Sequence, residues 1–152
     1  MDETAGLRVV LFGASGMVGR GVLRECLQDD GVASVLAVGR SPLGVSDRKL
    51  REIVAPDLYD VDSYAAELDG YSACFFCLGV SSAGMSEAAY TRVTYDLTLA
   101  VARAMAARNP GMTFVYVSGQ GTDANGRAMW ARVKGRTEND IQIGRASCRE
   151  RV

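Results

Sequence analysis

Leu7-Arg8-Val9-Val10-Leu11-Phe12-Gly13-Ala14-Ser15-Gly16-Met17-Val18-Gly19 is the stretch that decides the fold. An apolar run enters three glycines spaced three apart, and an amphipathic pattern follows. That order spells strand, tight turn, helix. It brings backbone N–H groups and a helix N-terminus to one point, where a pyrophosphate can sit. Gly13 permits the tight turn, Ser15 and Gly16 let the backbone approach phosphate, and Gly19 allows the helix to pack closely on the strand. Met17 and Val18 open the helix. A glycine triplet alone is weak evidence, and its strand–helix setting is what gives it weight.

Working outward, the helix carries Val18, Val22, Leu23, Cys26 and Leu27 at helical spacing. Asp29-Asp30-Gly31 stops it. A second strand is expected at Ala33 to Val38, apolar throughout as in a strand buried on both faces. A short third strand is expected near Glu52 to Ala55, then Pro56-Asp57 and a helix from Val61 to Leu68. Tyr71 to Leu78 reads as a fourth strand. Ser86 is placed to cap one long helix reaching Arg108, with Tyr90, Val93, Leu97, Val101, Ala104 and Met105 on its core face. Asn109-Pro110-Gly111 ends that helix, Thr113 to Val117 is a fifth strand, and a last helix begins near Arg127. Strands alternating with helices dictate an α/β, Rossmann-like, doubly wound parallel sheet of about five strands.

The bulk numbers narrow the function classes. The chain has 152 residues, a formal charge of −1 and no histidine. One domain is expected at this length. Near-neutral charge gives no case for nucleic acid or an anionic membrane. The longest apolar run, Ala73 to Val80, is strand-sized, and the acidic start Met1-Asp2-Glu3 is unlike a signal peptide, so a cytoplasmic protein is expected. Without histidine, Ser-His-Asp and Cys-His catalysis are excluded, and no metal site is expected. Cys74-Phe75-Phe76-Cys77 has redox-like spacing, yet it lies in an apolar strand and reads as two small core residues.

The end of the second strand bears on the cofactor. An NAD site usually places an acid there for the ribose 2′-OH. This chain has Val38-Gly39-Arg40-Ser41 instead. The Arg40 guanidinium suits a 2′-phosphate through charge-assisted hydrogen bonds, which argues for NADP(H) over NAD(H).

From about Leu7 to Asn139 the chain resembles the atypical, epimerase-like short-chain dehydrogenase/reductase superfamily. The pieces that carry the resemblance are the glycine turn, Gly39-Arg40, Asp57-Leu58, Cys77-Leu78-Gly79, Val117-Ser118-Gly119 and Lys134-Gly135. The resemblance implies that Asp57 contacts adenine and that Leu78 and Gly79 line the nicotinamide side. It further implies that Lys134 binds the nicotinamide ribose and that Ser118 helps hold a substrate carbonyl. The reaction implied is hydride transfer with a small organic substrate. One departure stands out: the family's catalytic tyrosine falls four residues before the lysine, and here that residue is Trp130. An indole N–H donates a hydrogen bond but does not exchange a proton near neutral pH. Another group substitutes (Tyr90, Tyr95 and Asp123 are candidates), or the chemistry differs, or the protein only binds cofactor as a sensor or scaffold.

The final ten residues, Ile143 to Val152, break the pattern. They read as the translation of a common sequencing-library adapter. A non-native tail is therefore expected from position 143, with the natural protein continuing past Gln142 and Cys148 carrying no functional weight.

Overall fold

A computed structural model describes residues 5–143. The expected tail falls outside the described residues from Gly144 onward. Five strands, β1 (Leu7–Phe12), β2 (Val32–Gly39), β3 (Leu50–Val54), β4 (Ala73–Phe76) and β5 (Thr113–Tyr116), form one sheet in the order β3-β2-β1-β4-β5. Every pairing is parallel. The order reverses between β2 and β4 around β1, so the carboxyl end of β1 is the switch point at which such sheets bind ligands.

The alternation of β1 sorts the core into two layers. Val9 and Leu11 face α1 (Met17–Gln28), packing with its Leu23 and Cys26 and with Val35 and Ala37 of β2. Val10 and Phe12 face the opposite way, toward Leu36, Phe76, Phe114 and the helical layer that follows β4. Phe76 anchors that larger layer, with Phe12 and Phe114 at ring-centroid distances of 5.6 and 6.0 Å. Helices thus cover both faces, as the alternating pattern required. Val18, expected on the α1 core face, is exposed, because Gly19 takes the contact with the turn beneath it.

Two expected helices differ from their sequence reading. The segment from Val61 to Leu68 is not one helix but two 3-10 turns, Val61–Ser63 and Ala65–Leu68, meeting at Tyr64. Eight residues are too few to hold an α-helix on propensity alone. The buried Tyr64 hydroxyl donates to the Leu58 carbonyl at 2.7 Å, and Ser63 Oγ donates to the Asp60 carbonyl, so local side-chain bonds fix tighter turns. The long helix from Ser86 to Arg108 has the expected cap, since Ser86 Oγ accepts from the Ala89 N–H at 3.1 Å. Its middle is not α-helical. A π-helical turn, Arg92–Asp96, separates α2 (Glu87–Thr91) from α3 (Leu97–Arg108). Thr98 Oγ1 donates to the Thr94 carbonyl at 2.5 Å, taking an acceptor that the regular ladder uses.

At the end of α3, buried Asn109 accepts from the Tyr71 N–H and donates to the Leu68 and Met105 carbonyls, tying the helix to the start of β4. The last helix, α4 (Met129–Ile143), begins two residues later than expected. Among the described residues no helix is long and apolar enough to cross a membrane.

Candidate functional site

Close approach, more than flexibility, dictates the glycines of the β1–α1 turn. Gly13 has φ +84°, and a Cβ there would lie 2.7 Å from the Cys77 carbonyl carbon. The turn is pressed against the end of β4 with no room for a side chain. A Cβ on Gly19 would fall 1.9 Å from the Gly13 carbonyl oxygen, so α1 also sits directly on the turn. Gly16 differs: its nearest neighbour to a Cβ is the same oxygen at 3.5 Å, an ordinary contact. The Gly16 N–H closes the turn onto Gly13, and the residue caps α1 in an extended conformation. No side chain caps α1 and its first turn holds no acid. Its opening N–H groups are therefore presented to the outside, with the positive end of the helix dipole behind them.

Those groups open into a cavity of about 520 Å³. Gly13, Ser15, Gly16, Arg40, Asp57, Leu78, Gly79 and Lys134 all line it. The residues come from the ends of β1, β2, β3 and β4 and from α4, which a right-handed parallel sheet brings to one edge. Met17, Val18 and Gly19 lie outside the lining; Met17 is 90% exposed, and Gly19 is buried beneath the turn. A side recess of about 150 Å³ adjoins the cavity between Ser15, Arg40, Ser41 and Glu52. Arg40 is exposed, and the Glu52 carboxylate in the recess accepts from the Leu43 N–H at 2.9 Å. One oxygen of Asp57 accepts from the Tyr59 N–H at 2.9 Å, which turns the chain after β3.

Lys134 reaches the opposite end of the cavity. Burial holds its ammonium below the usual lysine range, and the nearby Glu138 carboxylate partly offsets that. Ser118, just past β5, does not line the cavity. Its hydroxyl donates to the Glu138 carboxylate, which also accepts from Thr122 Oγ1 at 2.7 Å. Glu138 lies one helical turn beyond Lys134 on α4, so the loop after β5 is tied to the helix that carries the lysine.

Residues 13–142 match the family described as NAD(P)H-binding. The chain belongs to that family. Among curated relatives of this NAD(P)H-binding chain, Protein HTATIP2 of Rattus norvegicus is 26% identical over 136 residues, covering 88% of this chain and 56% of that protein. Protein FMP52-2, mitochondrial, of Scheffersomyces stipitis is 30% identical over 138 residues, covering 86% and 58%. The chain spans a little over half the length of these relatives. Of the solved structures, Pen from Bacillus thuringiensis superposes with a TM-score of 0.78 at 17% identity, over 95% of this chain and 48% of that one. Uronate dehydrogenase from Agrobacterium tumefaciens gives 0.73 at 20% identity, over 91% and 56%. At such identities the likeness is one of fold.

The NAD(P)H-binding residues fit the dinucleotide physically, because the open space at Gly16, the uncapped N–H groups and a facing guanidinium are what a pyrophosphate and its adenosine need. The three candidates for the missing tyrosine's role do not reach the cavity lining. Tyr90 is buried in the helical layer. Tyr95 donates to Asp140 beneath the Arg136 guanidinium, in a separate recess. Asp123 turns back on the Asn125 N–H in an exposed loop. A different tyrosine, Tyr116, does line the cavity; burial and the neighbouring Tyr90 and Glu138 drive its phenol upward, which keeps it neutral and disfavours a phenolate there.

Trp130 lies across the loop after β5: a Cβ on Gly119 would be 3.6 Å from its ring, and one on Gly121 3.9 Å. Glu138 escaped sequence reading, and Gly135 was read only as a motif residue. Glu138 was detectable from its four-residue spacing to Lys134. Gly135 holds the loop, since a Cβ there would meet the Ala124 nitrogen at 2.5 Å.

Proposed function

We propose that this chain is the NADP(H)-binding domain of an oxidoreductase or epimerase-like enzyme acting on a small organic substrate. The observation that carries the reading is one cavity joining the glycine turn, Arg40 and Lys134. In this reading the first-turn N–H groups of α1 hold the pyrophosphate, Arg40 faces the 2′-phosphate and Asp57 meets the adenine edge. Leu78, Gly79 and Lys134 frame the nicotinamide riboside. The bound cofactor would supply or accept hydride. Because Ser118 lies outside the cavity lining, this reading has the substrate extend past that lining to the loop after β5, where Ser118, held by Glu138, orients the substrate oxygen and the Glu138 carboxylate takes or returns a proton through it.

Trp130 favours a second reading, a redox sensor or scaffold that binds NADP(H) without turnover. Calorimetry with NADPH and NADH tests the cofactor assignment. Binding of NADPH at least about tenfold tighter than NADH is expected from one charged hydrogen-bonding partner, and no heat from either would overturn it. NADPH consumption with a panel of aldehydes and ketones separates enzyme from sensor.

A further inference from the structure

The π-helical turn carries three consecutive residues, Arg92, Val93 and Thr94, to the cavity wall. A regular α-helix spreads consecutive residues over most of its circumference, so this presentation depends on the wider turn. The Arg92 guanidinium lies over the Tyr59 ring, with its central carbon 4.6 Å from the ring centroid. Tyr59 belongs to the wall after β3, two residues beyond Asp57, and both it and Arg92 line the cavity. The Arg92 side chain takes part in none of the ion pairs or side-chain hydrogen bonds found among the described residues. A planar cation is thus placed over a tyrosine while it stays exposed at the cavity wall.

The pair sits at a definable end of the site. Arg40 and Asp57 lie beyond β2 and β3, on one side of the glycine turn, and Lys134 lies beyond β5 on the other. The Tyr59–Arg92 stack therefore belongs to the adenosine end. Guanidinium planes stack on nucleobases as well as on tyrosine, and the delocalised, weakly hydrated cation is suited to being sandwiched between two rings. Resting on the cofactor reading above, we propose that Arg92 is the stacking platform for the cofactor's adenine, with Tyr59 as the positioning residue beneath it. Specificity for an adenine nucleotide then comes from Arg92 against the ring face and Asp57 against its amino edge.

The test is calorimetric, on the wild type and on Arg92→Ala, Arg92→Lys, Tyr59→Ala and Tyr59→Phe. NADPH, NADH, AMP and reduced nicotinamide mononucleotide are the probes. Arg92→Ala should weaken NADPH, NADH and AMP by a similar factor, about 5- to 150-fold, the range of one base stack. It should leave the mononucleotide, which has no adenine, unchanged. Arg92→Lys keeps the charge but loses the plane and should resemble Arg92→Ala. Tyr59→Phe should bind as wild type. Tyr59→Ala should lose affinity in the same pattern, and combining it with Arg92→Ala should add little. A loss confined to NADPH would make Arg92 a 2′-phosphate ligand and overturn the proposal, as would unchanged binding or an equal loss for the mononucleotide. Failure of the cofactor reading is recognised separately, because the wild type itself would then bind none of the four.

Discussion

Ser118 spends its hydroxyl proton on Glu138, so the serine oxygen is left facing outward only as an acceptor. While Glu138 is ionised, Ser118 receives a hydrogen bond from a substrate hydroxyl more readily than it gives one to a carbonyl. In the oxidoreductase reading proposed above, this arrangement suits the alcohol side of a hydride-transfer couple. Thr122 shares the same carboxylate, so one residue sets the hydroxyl directions of the whole loop.

Glu138→Gln keeps an amide oxygen for one hydroxyl but no group that can take up a proton. NADPH affinity should stay within about twofold, while turnover of any alcohol oxidised by the wild type falls by about 10²-fold, the usual scale for a lost proton acceptor. Glu138→Ala leaves both hydroxyls without their acceptor and should cost about 1–3 kcal/mol in a urea melt. The emission of Trp130, the one tryptophan in the chain, reports the loop on which it rests and should shift to the red. An unshifted spectrum with full stability would remove Glu138 from this role.

The recess beside the glycine turn holds opposite charges, Arg40 and Glu52, and they should act in opposite directions on NADPH. Arg40→Asp should weaken NADPH by about 10- to 100-fold, the range of a charged hydrogen bond, and NADH by far less. Glu52→Gln removes a negative charge near the 2′-phosphate and should tighten NADPH without changing NADH. Titrations of both nucleotides against both variants decide it. Equal losses for the two in Arg40→Asp would sink the 2′-phosphate assignment.

Gly16 and Gly19 look alike in the motif, but they should fail differently. Gly16→Val meets only an ordinary contact with the Gly13 oxygen, so the protein should fold with its melting temperature nearly unchanged. The new side chain fills phosphate space, and nucleotide binding should vanish. Gly19→Ala drives a methyl into the Gly13 carbonyl oxygen, and the turn must move. That variant should lose stability first, by several degrees in a thermal melt, with binding lost as a consequence. A stable Gly19→Ala would contradict the close packing of α1 on the turn.

The contrast between those glycines shows what sequence could and could not convey. The strand–turn–helix motif and the alternation of apolar strands with amphipathic helices are local patterns, and they specified a parallel sheet; the switch point at β1 came only with the strand order. Arg40 was found because it sits at the end of the second strand, and Lys134 through the family resemblance on the last helix. The π turn at Arg92–Asp96 was illegible, because apolar spacing near 3.6 hides one extra residue per turn, and the side-chain bond from Thr98 to the Thr94 carbonyl that accompanies it is tertiary detail. The split of the segment from Val61 to Leu68 came from a Tyr64 hydroxyl finding a carbonyl six residues back, which no periodicity encodes. Tyr116 and Glu138 join the site region through the placing of β5 against α4, a relation between segments some twenty residues apart.

Alkali should unfold this protein before it titrates its surface. Tyr64 and Tyr116 are pushed well above the usual value of 10.0 by burial, with Asp57 and Asp60 adding to the shift at Tyr64. Burial likewise pushes the Cys77 thiol from 9.0 up to about 11, and raises Cys26. A raised acid contributes stability that is complete below its unfolded value and is lost as pH rises toward its folded value. Stability should therefore decline from about pH 9, when the unfolded thiols ionise, and more steeply above 10 with the tyrosines. Lys134 works the other way. Its folded value lies below 10.5, so the unfolded chain holds that proton longer and stability gains as pH rises between the two. Five raised groups, Tyr95 beside Asp140 included, outweigh one lowered, so the net slope is downward. Urea melts at pH 8, 9, 10 and 10.5 should show the decline, and tyrosinate absorbance should rise together with the loss of helix signal. Lys134→Met removes the opposing contribution, so its decline should be steeper, while its stability at pH 7 should equal or exceed the wild type because a half-buried ammonium is gone. Tyrosinate absorbance that rises while the helix signal is intact would show that these phenols are open to solvent in the folded chain.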